Sequence, residues 1–297
     1  MTLCQPTADG WRAAAPEPVG PPETLFARLR GHAAGRPIAF GIDCPIGLPR
    51  AFAAPGLGAE NFPQFLRGLM KHPAFFEVAA SLAGVSPASP FYPARGVAGI
   101  TRLSHALALG LPDAESLSRA CDRATPDRPA GAPVFWTLGA NQSGKAALAA
   151  WRELLIPALL SQSPPGLWPF DGTFLALLQS HDIAVAETYP AEAMRHLGLR
   201  IAGSKRRQSD RAAYAPALLD SMKASSIHPS PAMRADMADG FGSAEDGEDR
   251  FDSLLGVLCV LGVVQGRRPD TAPADPWIQL WEGWVLGQAA APHANPY

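Results

Sequence analysis

Pro37-Ile-Ala-Phe-Gly-Ile-Asp-Cys-Pro-Ile-Gly-Leu-Pro49 carries the reading that decides the fold. Its first part, Pro37 to Ile42, is a short and wholly apolar run that ends on Asp43. A strand apolar on both faces belongs inside a covered sheet, and such sheets are built from parallel strands joined through helices. Upstream, Thr2–Thr7 and Trp11–Ala15 flank Ala8-Asp9-Gly10, and Asp-Gly is a strong tight-turn signal, so a hairpin is expected there. Leu25, Phe26 and Leu29 share one face of a predicted helix over Pro22–Ala33, with Gly35 as its stop.

Downstream, from about residue 50 to 180, the pattern is helical and broken by proline-rich loops. Phe62–Met70, Ala74–Leu82, Ile100–Leu109, Ala114–Arg123 and Lys145–Leu160 read as helices. Strand character returns at Asp182-Ile-Ala-Val-Ala186 and again ends on a carboxylate, Glu187. A basic segment leads into a helix through Met222, Ala224–Gly247 is polar and turn-rich, and Glu248–Gln265 reads as a helix apolar nearly all round. The expected fold is α/β. Residues 1–49 form the first part of the core, 50–181 a mostly helical insertion, and 182–297 the second part of the core with a C-terminal segment. In such sheets ligands gather at the carboxyl ends of the strands. Asp43 and Glu187 both stand at such ends.

Bulk composition narrows the class. With 25 basic and 27 acidic residues the net charge is −2, which argues against holding nucleic acid by bulk charge but leaves room for a local basic groove. The four cysteines, Cys4, Cys44, Cys121 and Cys259, are far apart, which fits reduced thiols in the cytoplasm rather than a zinc or disulfide framework. No basic segment followed by an apolar run opens the chain, so no signal peptide is expected. The most apolar stretch, Leu254 to Val264, falls well short of the roughly 20 residues needed to span a bilayer.

Two acidic residues join Asp43 and Glu187 as candidates. Asp249 and Asp252, three residues apart, share a helix face. Carboxylates converging at a sheet end would bind Mg²⁺ or Mn²⁺, hard ions that favour oxygen, and a pair of such ions activates water on a phosphodiester. The other reading is structural: Asp43 caps a turn, and Asp249 and Asp252 favour the helix N-terminal dipole. Gly256, Cys259, Gly262 and Val263 give that helix a small-residue stripe for close packing.

Three further motifs carry candidate chemistry. Lys205, Arg206, Arg207 and Arg211 could grip a phosphate backbone or form a solvated helix start. Gly139-Ala-Asn-Gln-Ser-Gly-Lys145-Ala146 fits the phosphate-cradling spacing, but Ala146 replaces the hydroxyl residue that holds Mg²⁺. Lys145 at a helix start could still meet a substrate phosphate. Trp277, Trp281 and Trp284 at helix-like spacing read as core or interface.

Taken in order, Gly41–Pro49, Phe135–Lys145, Glu187-Thr-Tyr-Pro190, Ser204–Arg211, Asp249-Arg-Phe-Asp-Ser253 and Trp281-Glu-Gly-Trp284 resemble the domain of unknown function family 429, predicted nucleases with a ribonuclease-H-like fold. The resemblance runs from roughly residue 37 to 287. It implies a ribonuclease-H-like mixed sheet and an active site with carboxylates at Asp43, Glu187 and Asp252. It also implies an essential aspartate on a first, central strand, whereas this chain opens on what read as the second and third strands. The expectation is either that the coding sequence starts one strand too late or that this member lacks a metal ligand.

The leading functional expectation is a Mg²⁺- or Mn²⁺-dependent nuclease or phosphodiesterase. Asp43, Glu187 and Asp252 would be ligands and catalytic residues, Asp249 an auxiliary, and Lys205, Arg206, Arg207 and Lys145 phosphate contacts, with nucleic acid as a candidate partner. The alternative is a non-catalytic binding or scaffold protein that retains a degenerate site of the same kind.

Overall fold

The computed structural model describes residues 1–95, 99–125, 128–138, 143–199 and 203–289. It is a mixed α/β protein with two small sheets. It divides into two compact units, Met1–Gly20 with Thr188–Arg268 (the first unit) and Pro21–Glu187 with Pro269–Tyr297 (the second). The strands are β1 Cys4–Thr7, β2 Gly10–Ala13, β3 Ile38–Ile42, β4 Gly166–Leu167, β5 Ile183–Glu187 and β6 Ile227–Pro229.

In the first unit β1 and β2 form the expected hairpin, with Thr7 opposite Gly10. The parallel β6 completes the sheet on the far side of β2, setting Trp11 opposite Ile227. Around this sheet Met194, Leu218, Met222, Met233, Phe251 and Leu254 are fully buried in one apolar cluster. The helix Gly247–Val264 supplies the last two and packs against the helix Pro190–His196. Its small-residue stripe makes that approach feasible. Cys259 Sγ lies 3.8 Å from His196 Nδ1, and a Cβ on Gly256 would come within 3.4 Å of the Thr188 hydroxyl. The segment Ala224–Gly247, expected to be turns, holds β6 and a helix at Pro231–Ala238 that Ser230 caps by accepting from the Met233 amide.

In the second unit the sheet order is β3-β5-β4, all parallel. The central, fully buried place falls to β5, while every residue of the apolar β3 is only half-buried, since β3 stands at the edge. The helix Pro22–Ala33 forms as expected, and left-handed backbone at Ala34 and Gly35 ends it. Lys145–Leu160 is helical from Ser143 to Leu159, with one wide turn at Trp151–Leu155. Pro157 has no N–H for the Glu153 carbonyl, and the neighbouring Ile156 amide bonds to Trp151 instead, five residues back. Two expected helices are corrected. Ala74–Leu82 gives only a 3₁₀ turn at Pro73–Phe76, and Ala114–Arg123 gives two, Glu115–Leu117 and Ala120–Asp122, parted by extended backbone at Ser118 and Arg119. Aromatic rings fill the insertion: Phe62 meets Trp151 at 5.2 Å and Phe91 meets Phe135 at 5.3 Å, and Trp151 Nε1 donates to the Pro45 carbonyl. Among the described residues no helix is long and apolar enough to cross a membrane.

The loop after β3 is held by interlocked backbone. Leu48 N donates to the Trp281 carbonyl at 2.7 Å, a Cβ on Gly47 would strike the Glu282 carbonyl, and a Cβ on Gly283 would strike that of Ile46. Gly47 also has φ of 147°, where side chains are strained. Gly47→Ala is therefore expected to lower stability by at least ~2 kcal/mol in urea unfolding. The control Gly31→Ala, in a helix with open space around it, should raise stability by up to ~1 kcal/mol.

Candidate functional site

In the second unit the site begins with strand register. Ile42 of β3 pairs with Glu187 of β5, so Asp43 and Glu187 stand at the same carboxyl end of neighbouring parallel strands. Asp43 is exposed, whereas Glu187 is 5% exposed. Both of their charges bear on Cys44, a buried thiol pushed well up, chiefly by burial.

Glu187 is met by a residue the sequence did not single out. Arg119, fully buried, donates to both Glu187 oxygens, from Nη1 to Oε2 at 2.6 Å and from Nη2 to Oε1 at 2.7 Å. It also donates to both oxygens of Asp122, from Nε at 2.9 Å and Nη2 at 2.8 Å. Glu187 Oε2 accepts the Ile46 amide as well, at 2.7 Å. Burial lifts the Glu187 carboxyl above the usual carboxylate range, with Arg119 as the main opposing influence. Burial likewise works against the charge on Arg119, but Asp122, Cys121 and Glu187 hold its pKa well above normal. Donor atoms of Cys121, Asp122 and Glu187 lie within 4.8 Å of one another, with the Arg119 guanidinium bonded to both carboxylates.

Beside this clasp lies Glu282, also 5% exposed. Its carboxyl is raised by burial, against the Arg50 amide that bonds to it and the charges of Arg119 and Arg123. Arg119 Nη1 reaches the Glu282 carbonyl at 3.3 Å. Lys145 is exposed in the first turn of Ser143–Ala150, while Gly139–Gln142 of the phosphate-loop-like motif lie outside the described residues. Gly144 has a packing reason: its amide donates to the Trp136 carbonyl at 2.9 Å, and a Cβ there would stand 2.7 Å from that oxygen.

The remaining candidates belong to the first unit. Lys205 Nζ donates to both oxygens of Asp252, at 2.6 and 2.7 Å, and lies 4.0 Å from Glu248. Burial pushes the Asp252 carboxyl up to about 6, outweighing the Lys205 charge. Asp249 is exposed beside Glu248 in the first turn of its helix, where the helix dipole favours acids. Arg206 and Arg207 are exposed, Arg206 4.0 Å from Glu248 and Arg207 2.8 Å from Asp210. Arg211 is buried and donates to the Gly240, Gly242 and Lys205 carbonyls, so it ties a loop together. The structure thus brings Asp43 and Glu187 to one strand end, and sets Asp252, Asp249 and the basic run in the other unit.

A family described as "Protein of unknown function (DUF429)" matches residues 5–276. The chain belongs to this family. No curated protein and no solved structure matches it. Within this DUF429 chain the sequence carried one signal toward Glu282, the Trp281-Glu-Gly-Trp284 motif, and none toward Arg119, whose partner Glu187 is 68 residues away.

Two measurements test these electrostatics. Arg119→Ala leaves two buried carboxylates facing each other and should cost ~3–5 kcal/mol in urea unfolding. The Asp252 carboxyl, by contrast, has a folded-state value above that of the unfolded chain, so the folded protein binds this proton more tightly. The stability it contributes is full in acid and is lost as pH rises through about 6. Between about pH 4 and pH 7, Asp252→Asn should therefore gain on the unmutated DUF429 protein by ~3 kcal/mol. A constant difference across that range would refute the assignment.

Proposed function

We propose that this DUF429 chain is a non-catalytic ligand-binding protein on a degenerate ribonuclease-H-like core. The observation that carries this reading is the closure of Glu187 by Arg119. The residues of the second unit do not suit Mg²⁺ or Mn²⁺ as they stand. A dication there would need carboxylate oxygens that already accept from a buried guanidinium, and would sit beside that guanidinium's positive charge. The Asp252 carboxylate is likewise engaged, by Lys205.

One observation favours the second reading, a metal-dependent nuclease or phosphodiesterase acting on nucleic acid or a related phosphoester. It is the shared strand end of Asp43 and Glu187, the place where α/β sheets put ligands. Millimolar Mn²⁺ separates the two. Under the binding reading the melting temperature does not rise with metal, and bis(p-nitrophenyl) phosphate, RNA and DNA are cleaved no faster than by Glu187→Gln. A metal-dependent rise in melting temperature, with turnover that disappears in Asp43→Asn, would establish the nuclease reading instead.

A further inference from the structure

In the second unit a cleft of about 250 Å³ opens between the start of the short helix Arg50–Ala53 and the 3₁₀ turns around Ser116 and Arg123, with Glu282 in its lining. Two arginines face it. Arg50 lies with its guanidinium 5.1 Å from the centre of the Trp277 ring, and among the described residues that guanidinium makes no ion pair or hydrogen bond. Arg123 also makes no ion pair there, and its Nε is buried with no hydrogen-bond partner. Guanidinium N–H groups that have no acceptor on the protein can donate to the oxygens of a ligand in the cleft.

The acids lining the cleft do not fill that role. Asp113 accepts from the Ser116 amide and hydroxyl, both at 2.8 Å, and so holds its own turn. Glu115 is exposed. Glu282 accepts the Arg50 amide at 3.2 Å, so that oxygen is already engaged by the backbone. Ser118 adds a hydroxyl to the same wall.

We infer that this cleft binds the phosphoryl group of a small phosphate monoester, held between Arg50 and Arg123. The inference rests on the binding reading above and names its ligand class. Each guanidinium offers five N–H donors in a planar fork, more than the two oxygens of a carboxylate can use and well matched to a tetrahedral phosphate. The volume decides the size. Pockets for drug-sized ligands run roughly 300–1,000 Å³, so this one suits a phosphoryl head with a short attachment and not a polymer.

Calorimetric titration of the full chain at low salt, with inorganic phosphate, phenyl phosphate and acetate as probes, tests it. Phenyl phosphate should bind saturably and more tightly than inorganic phosphate, and acetate should not bind. Arg50→Gln and Arg123→Gln should each weaken phenyl phosphate at least tenfold, and Ser118→Glu, which adds an anion to the cleft, should abolish binding. Arg50 is exposed, so Arg50→Gln and Ser118→Glu keep the test alive if Arg123→Gln unfolds. Absence of saturable phosphate-ester binding, acetate binding as tightly, or undiminished affinity in folded Arg50→Gln and Ser118→Glu would each overturn the inference. Hydrolysis of phenyl phosphate would end the non-catalytic reading while leaving the cleft's assignment standing, so the two fail separately.

Discussion

The contact on which the second unit depends is the Arg119 guanidinium between Glu187 and Asp122. A carboxylate at the end of a fully buried strand faces a large desolvation penalty, and one water-excluded charge would unsettle β5. Arg119 offsets that penalty with two charge-assisted bonds to Glu187, and Asp122 balances the remaining donors. The arrangement also explains local backbone. To point inward, Arg119 leaves helical geometry, and the segment around it becomes two 3₁₀ turns instead of one helix. The ion pair thus fixes the insertion to the strand end that it covers.

What was legible in the sequence was whatever is fixed locally. The Asp-Gly turn sets the β1–β2 hairpin, and the apolar face of Pro22–Ala33 with its left-handed stop sets that helix. What was not legible was set at long range. The strand β6 is only Ile227-His-Pro229, too short and too proline-bound to announce itself, and it is a strand because Trp11 and Ala13 pair with it. The central position in the second sheet went to β5 although β3 is just as apolar, because sheet order depends on crossovers and not on composition. For the site, Asp43 and Glu187 could be read from strand ends. The electrostatic setting of Glu187 could not, since Arg119 reaches it across 68 residues of chain.

The same balance is struck differently in the first unit. Asp252 has a lysine partner at hydrogen-bond distance, and still its carboxyl is displaced toward protonation, so burial outweighs the pair. Lys205 is a compact ammonium that serves the two oxygens of a single carboxylate, whereas Arg119 presents a planar fork to two carboxylates at once. Asp249 and Glu248 add negative charge nearby, which further disfavours an ionised Asp252. Its charge is set by the balance of burial against the lysine, on a helix whose remaining buried face is apolar.

The interlock of residues 46–48 with 281–283 links the strand-end clasp to the cleft. Leu48 bonds to Trp281, the Gly47 and Gly283 backbones leave no room for a Cβ, and Glu282 lies between them. The Glu282 carbonyl accepts from Arg119, while its carboxylate accepts from the amide of Arg50 at the cleft. One residue therefore has its backbone in the clasp and its side chain at the cleft. Glu282 is thereby the residue shared by the cleft wall and the clasp. The close approach of the two loops is what excludes a side chain at either glycine.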